Sequence, residues 1–270
     1  MTAMPSPDLA LLERARGGDG RATEQLLAKH EVRVYRYGLR MCGNEDDARD
    51  VLQETLLAAF RGIGEFRGDA RLSTWLFQIA RSFCSKTRRR SAGEPAQHEE
   101  LDAPEALQHP VAEEAPDARA HAREIGRALQ AAIAALPETS REVVVLRDVE
   151  GMSAEEAAEV LKIDVGALKS RLHRARLELR EHLAGLLEPA DAAGPGPCSE
   201  LAQELSAYAA ADIDQATCAA VEAHLARCPK CQQACDQLKK SVSLCQALPG
   251  GEVPAPVQRA VRHALRAALG

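Results

Sequence analysis

Aromatic side chains are scarce: one Trp, three Tyr and four Phe among 270 residues leave little material for extended base-stacking platforms. No apolar run approaches the roughly 18 residues of a membrane span, and the first 20 residues lack the basic-then-apolar order of a signal peptide. These absences predict a cytoplasmic chain with no membrane partner. Basic charge is not in excess either. With 34 Lys and Arg against 40 Asp and Glu, a net charge of −6 supplies no global field toward nucleic acid, so any DNA contact must come from local basic patches. The apolar–polar alternation of half-buried strands is also missing. Apolar residues recur instead at helical spacing, as in Val51, Leu52, Thr55, Leu56, Ala59 and Phe60, and the expected fold class is all-α.

At roughly 150 residues per domain the length predicts about two domains, but composition cuts the chain twice. Between Ser91 and Ala118 Glu, Asp, Ala and Pro dominate with no Lys or Arg, a stretch that cannot bury enough surface to fold and reads as a tether. The segment Glu188 to Pro197 (EPADAAGPGP) forbids a continuing helix through its prolines and glycines. Three small helical units on two joints result.

The middle unit has the clearest mechanical signal. Ser153 followed by Glu156 is a capping box that opens a short helix through Leu161, and Asp164 caps a second helix from Val165 after a tight turn, the layout of a helix-turn-helix. From Val165 to Arg180 the second helix carries Lys169, Arg171, Arg174, Arg176 and Arg180 against one acid, Glu178, while the first carries Glu155, Glu156 and Glu159. Basic charge is thus confined to the helix that would enter a major groove. A solvated amphipathic helix would also carry arginines; the capping, the turn length and the sign asymmetry favour the DNA reading. Small residues at Gly166 and Ala167 let the helix N-terminus approach a phosphate.

In the first unit, Glu45, Asp46, Asp47, Asp50 and Glu54 crowd about two and a half turns, with Asp46, Asp50 and Glu54 on one face. Such a face is solvated by default and also suits docking on a basic partner. The following helix places Trp75, Phe77, Ile79 and Phe83 ahead of Lys86, Arg88, Arg89 and Arg90. A basic tail behind a partly aromatic helix fits single-stranded DNA, although Trp75 and Phe77 by themselves are more often core than nucleic-acid contacts.

The eight cysteines are uneven: Cys42 and Cys84 stand alone, and the other six crowd the last quarter. In a reducing compartment such a cluster reads as metal or redox chemistry. His224 and Cys228 lie one turn apart, Cys228-Pro229-Lys230-Cys231 makes a knuckle, and Cys198 precedes the first tail helix. One imidazole and three thiolates from these positions close a tetrahedral site. Cys218, Cys235 and Cys245 fall outside that pattern and are candidate sensing ligands for a soft metal, with buried hydrophobes as the alternative.

Taken in order, these segments resemble an extracytoplasmic-function sigma factor of the sigma-70 family. DARDVLQETLLAAFRGIGEFRG is similar to the region-two core that docks on polymerase, LSTWLFQIARSFCSKTRRR to the part that melts the minus-ten element, and LPETSREVVVLRDVEGMSAEEAAEVL with VGALKSRLHRARLELREHL to region four. The resemblance implies region two over 9–91, a linker over 92–118, region four over 119–187, a second linker over 188–197, a cysteine-rich domain over 198–248 and a tail helix over 249–270. It implies no enzyme, with core RNA polymerase and promoter DNA as partners. Asp47, Asp50, Gln53 and Glu54 would touch polymerase. The Phe66 to Arg71 loop with Ser82, Arg88 and Arg89 would handle the single-stranded minus-ten element, and Lys169, Ser170, Arg171, His173 and Arg174 would face the minus-thirty-five groove. The sequence departs from the family at Ser82, Lys86, Lys162 and Ala167, where Asn, an acid, Gly and Thr are usual. The tail resembles the zinc-binding anti-sigma domain, here fused to its own sigma factor as in the CorE-type metal-dependent group. That likeness implies intramolecular contact with the sigma domains and control by zinc, copper or cadmium. Two other readings stay open: a zinc sigma factor that senses thiol oxidation, and a metal-responsive DNA-binding repressor or metal buffer that never engages polymerase.

Overall fold

Thirteen α-helices and no strand make up the described residues of this computed structural model, which are 7–68, 71–91, 116–187, 198–210, 212–248 and 252–268. The expected linker 188–197 and most of 92–118 lie outside them. The chain divides into two compact units, one of residues 1–109 with 250–270 and one of residues 110–249.

The first unit begins with α1 (Pro7–Arg16), α2 (Gly20–Ala28), α3 (Glu31–Cys42), α4 (Glu45–Gly62) and α5 (Leu72–Ser91). Local chemistry starts and stops these helices. Asp19 accepts the Ala22 N–H to open α2, Gly43 closes α3 in the left-handed region at φ 85°, and Asn44 accepts the Asp47 N–H to open α4. Gly38 permits the α3–α4 crossing, since a Cβ there would stand 3.1 Å from the Ala48 Cα. The interior holds Tyr35, Tyr37, Met41, Leu52, Leu56, Leu76 and Phe77, with Phe77 edge-on to Tyr37 at 5.4 Å between centroids. Each such side chain contributes about 1.5–3 kcal/mol through burial. Phe77 is therefore core.

In the second unit α6 (Pro116–Ala135) starts inside the expected linker and leads to α7 (Glu138–Val144), a π-helical turn (Val145–Val149), α8 (Ala154–Leu161) and α9 (Val165–Leu187). The capping box forms as read from the sequence: the Glu156 N–H donates to Ser153 Oγ at 3.1 Å and the Ser153 N–H to Glu156 Oε2 at 2.8 Å. Asp164 Oδ1 caps α9 by accepting the Ala167 N–H at 2.8 Å. Between these helices Lys162 takes the left-handed conformation, φ 57°, that Gly usually supplies.

A 3-10 turn (Ser199–Leu201), α10 (Ala202–Ala209), α11 (Gln215–Leu225) and α12 (Pro229–Ala247) complete this unit around Leu205, Val221, Cys231, Cys235 and Leu238. The chain then returns to the first unit. There α13 (Ala255–Ala267) packs on α4, with Val261 and Leu265 buried and the Arg266 guanidinium 3.5 Å from the Glu24 carboxylate.

Candidate metal centre and nucleic-acid interface

Three short-range devices assemble the metal quartet. The last turn of α11 presents His224, Pro229 starts α12 so that Cys228 is its N-cap and Cys231 lies in its first turn, and the 3-10 turn holds Cys198. The ligand atoms of Cys198, His224, Cys228 and Cys231 lie within 4.8 Å of one another, and no other group of three or more His, Cys, Asp or Glu gathers so closely among the described residues. The buried Nε2 of His224 has no hydrogen-bond partner, and the Cys198 N–H donates to Cys231 Sγ at 3.4 Å. An orphaned imidazole nitrogen beside three sulfurs is the donor set of a tetrahedral zinc site. The backbone N–H of Cys231 draws the Cys228 thiol down to about 7, and its hydrogen bonds to Cys231 and Cys228 push the Cys198 thiol up.

The three surplus cysteines are not part of this quartet, and they form no group of three with one another among the described residues. Cys235 is buried in the bundle core, Cys245 is buried further along α12, and Cys218 is half-buried with its sulfur 3.6 Å from Glu222. Burial pushes the Cys218 and Cys235 thiols up. A preformed trigonal thiolate site is excluded by helix geometry. Cys235 and Cys245 sit on one continuous helix, and at 1.5 Å per residue their backbones are about 15 Å apart along its axis.

The cysteine-rich helices lie against α9. Arg176, at 1% side-chain exposure, makes a bidentate ion pair with Asp148, with Nε 2.8 Å from Oδ2 and Nη2 2.5 Å from Oδ1. Its third nitrogen, Nη1, donates to the Ser206 carbonyl at 2.5 Å and to Ser206 Oγ at 2.9 Å. Burial works against the guanidinium's charge, and Asp148 more than compensates. Arg147 pairs with Asp212 at 2.8 Å, Arg180 donates to Gln237 at 3.2 Å, and Gln203 donates to Ser170 Oγ at 3.2 Å. Two of the arginines counted above as groove-facing charge, Arg176 and Arg180, therefore hold the protein together instead. Sequence reasoning missed this because an arginine looks the same on either face of a helix; the acids at Asp148 and Asp212 were the available signal.

The five minus-thirty-five candidates split accordingly. Arg174 is exposed and Lys169 and Arg171 are partly exposed, whereas Ser170 is engaged by Gln203. The Nδ1 of His173 is buried, and burial with the nearby Arg176 and Arg174 holds its imidazole below the usual range.

In the first unit a groove of about 410 Å³ brings Asp50, Gln53 and Glu54 of α4 opposite Lys86 and Arg90 of α5, floored by Val51, Phe83 and Thr87. Asp47 stands apart from it, its carboxylate accepting from Asn44 Nδ2 at 2.8 Å as part of the helix cap. Ser82 and Arg89 are exposed and Arg88 is half-buried. Within the predicted base-handling loop, residues 69 and 70 lie outside the described residues and Arg71 is exposed, but Phe66 is only 7% exposed. Its ring packs on Trp75 at 5.1 Å, so Phe66 belongs to the core in this structure and is closed to a base.

Comparison with known proteins finds family matches in three stretches of the chain. Residues 26–94 match the sigma-70 region 2 family, residues 126–179 the sigma-70 region 4 family and residues 198–232 a zinc-finger family. The chain is 32% identical over 188 residues to the RNA polymerase sigma-H factor of Pseudomonas aeruginosa, a match covering 68% of this chain and 97% of that protein. It is 35% identical over 179 residues to the ECF RNA polymerase sigma factor SigM of Mycobacterium tuberculosis, covering 66% and 86%. With SigE of Mycolicibacterium smegmatis the identity is 37% over 163 residues, 60% of this chain and 61% of that protein. Among solved structures, CnrH in complex with the cytosolic domain of CnrY aligns at a TM-score of 0.50 with 30% identity, covering 66% of this chain and 98% of that one.

Proposed function

The chain belongs to the extracytoplasmic-function sigma factors of the sigma-70 family, and from that premise we propose that its promoter recognition is gated by metal at its own C-terminal domain. It is an initiation factor and not an enzyme, with core RNA polymerase and promoter DNA as partners. A stand-alone repressor or metal buffer is a poorer account of a chain with both sigma regions. Among the described residues no helix is long and apolar enough to cross a membrane. We place its action on DNA in the cytoplasm.

One observation carries the gating: Arg176 belongs to α9 and Asp148 to the region-four fold, while Ser206 belongs to α10. Cys198 stands four residues ahead of α10, so a metal joining it to His224, Cys228 and Cys231 sets where α10 lies. Loaded with zinc, the quartet holds Gln203 and Ser206 against α9 and keeps Ser170 and His173 covered. Loss of the ion, or its replacement by the softer copper(I) or cadmium, releases α10 and with it the groove-reading side of α9. Lys169, Arg171 and Arg174 then contact the minus-thirty-five element. Ser82, Arg71, Arg88 and Arg89 serve the minus-ten strand, and Asp50, Gln53 and Glu54 dock polymerase. A thiol-oxidation trigger at the same quartet is the second reading, favoured by the close approach of the Cys198, Cys228 and Cys231 sulfurs and by the Cys231 backbone N–H that draws the Cys228 thiol down to about 7.

In vitro transcription with core polymerase tests this, run anaerobically with reductant across a zinc, copper and cadmium series. Output should change at least tenfold between the zinc-loaded and stripped forms, and Cys228→Ser should fix it at the stripped level. Equal output in all metal states would refute gating. Failure to bind core polymerase in every state would refute the sigma function itself.

A further inference from the structure

The two cysteines that stand alone in the sequence meet in the first unit: Cys42 Sγ and Cys84 Sγ are 3.1 Å apart, although 42 residues separate them along the chain. Cys42 is the last residue of α3, partly exposed beside the left-handed turn at Gly43, whereas Cys84 is fully buried within α5. From this juxtaposition we infer that region two contains a thiol–disulfide modification site of its own, separate from the metal quartet. A disulfide needs its sulfurs at about 2.05 Å, so closure requires about 1 Å of approach, within reach of side-chain rotation next to a glycine turn.

The exposures assign the roles. A hydroperoxide reaches Cys42 first: its thiolate attacks the O–O bond, giving a sulfenic acid and one molecule of water or alcohol. The Cys84 thiol then displaces hydroxide from that sulfur, forming the S–S bond and releasing water. Two thiols are oxidised and one peroxide bond is reduced. A thiol or dithiol reductant reverses the step by exchange.

Closure ties the α3–α4 turn to α5 beside the groove-lining Phe83, Lys86 and Thr87, which face Asp50 and Glu54. It also closes a 42-residue loop in the unfolded chain, so the oxidised form should populate the unfolded state of region two roughly several hundredfold less. Thiols that merely fill space would have neither property.

The experiment uses the full zinc-loaded chain, exposed to stoichiometric hydrogen peroxide, quenched with N-ethylmaleimide and digested with trypsin without reduction. A linked pair of peptides 41–49 and 82–86, two hydrogens lighter than their sum, is expected, with zinc content unchanged. The urea midpoint of region two should rise on oxidation in the wild type and stay put in Cys42→Ser, and a sulfenic-acid probe should label Cys42 in Cys84→Ser. Maleimide on both cysteines after peroxide, or disulfides confined to the peptides of residues 198–245, would overturn the inference.

Discussion

Replacing Arg176 by Met is the most demanding test of how region four and the cysteine-rich domain share one core. The guanidinium is 1% exposed and its partner carboxylate on Asp148 is 3% exposed, so deletion leaves a buried, unpaired negative charge. Breaking a buried pair from one side costs about 3–5 kcal/mol. The Ser206 carbonyl and hydroxyl lose their donor as well, a further loss of about 1–3 kcal/mol for each group that stays dry. That second loss has a ceiling, because α10 can lift off α9 and solvate Ser206. Arg176→Met should therefore lower region-four stability by about 3–5 kcal/mol and undock the tail, where Ser206→Ala costs only about 1 kcal/mol because the carbonyl contact survives. The double variant Arg176→Met/Asp148→Leu removes both charges and should recover most of the loss. Urea unfolding followed by hydrogen exchange at α9 and α10 separates the terms. A loss under about 1 kcal/mol for the single variant, or a double variant as unstable as the single, would refute the reasoning.

Three further outcomes are expected. Lys162→Gly should stabilise region four by about 1 kcal/mol in urea unfolding, because a left-handed non-glycine residue costs more than glycine's added chain entropy. Chelation of metal should expose the thiols of Cys198, Cys228 and Cys231 to alkylation and reduce tail helicity by circular dichroism, while Cys235 stays protected until unfolding. Burial, with Arg33 and Lys29 adding, holds His30 below the usual imidazole range. The unfolded chain thus takes up its proton first, and stability of the first unit should fall as pH drops through about 6.5 and level off below the folded value. His30→Gln should flatten that dependence in unfolding midpoints measured from pH 5 to 8.

Much of this protein is decided within one or two helical turns, and that much is legible in its sequence. The Ser153 and Asp164 caps, the turn between α8 and α9, and the His224, Cys228 and Cys231 knuckle all involve atoms a few residues apart, so residue type and spacing set their geometry. The grouping of Cys218, Cys235 and Cys245 as joint ligands overlooked the ten residues of one helix that keep Cys235 and Cys245 apart. What tertiary structure alone decided is which face of each helix is covered and by what. Arg176 and Arg174 are both arginines on α9, yet one is sealed against Asp148 and Ser206 and the other is exposed. Phe66 became core through Trp75, Cys42 found Cys84, and the tail helix α13 settled on α4 with Arg266 at Glu24. Those pairings join segments from 9 to more than 200 residues apart. Burial and Coulomb energy depend on separation in space, and for such segments only the packed chain sets that separation.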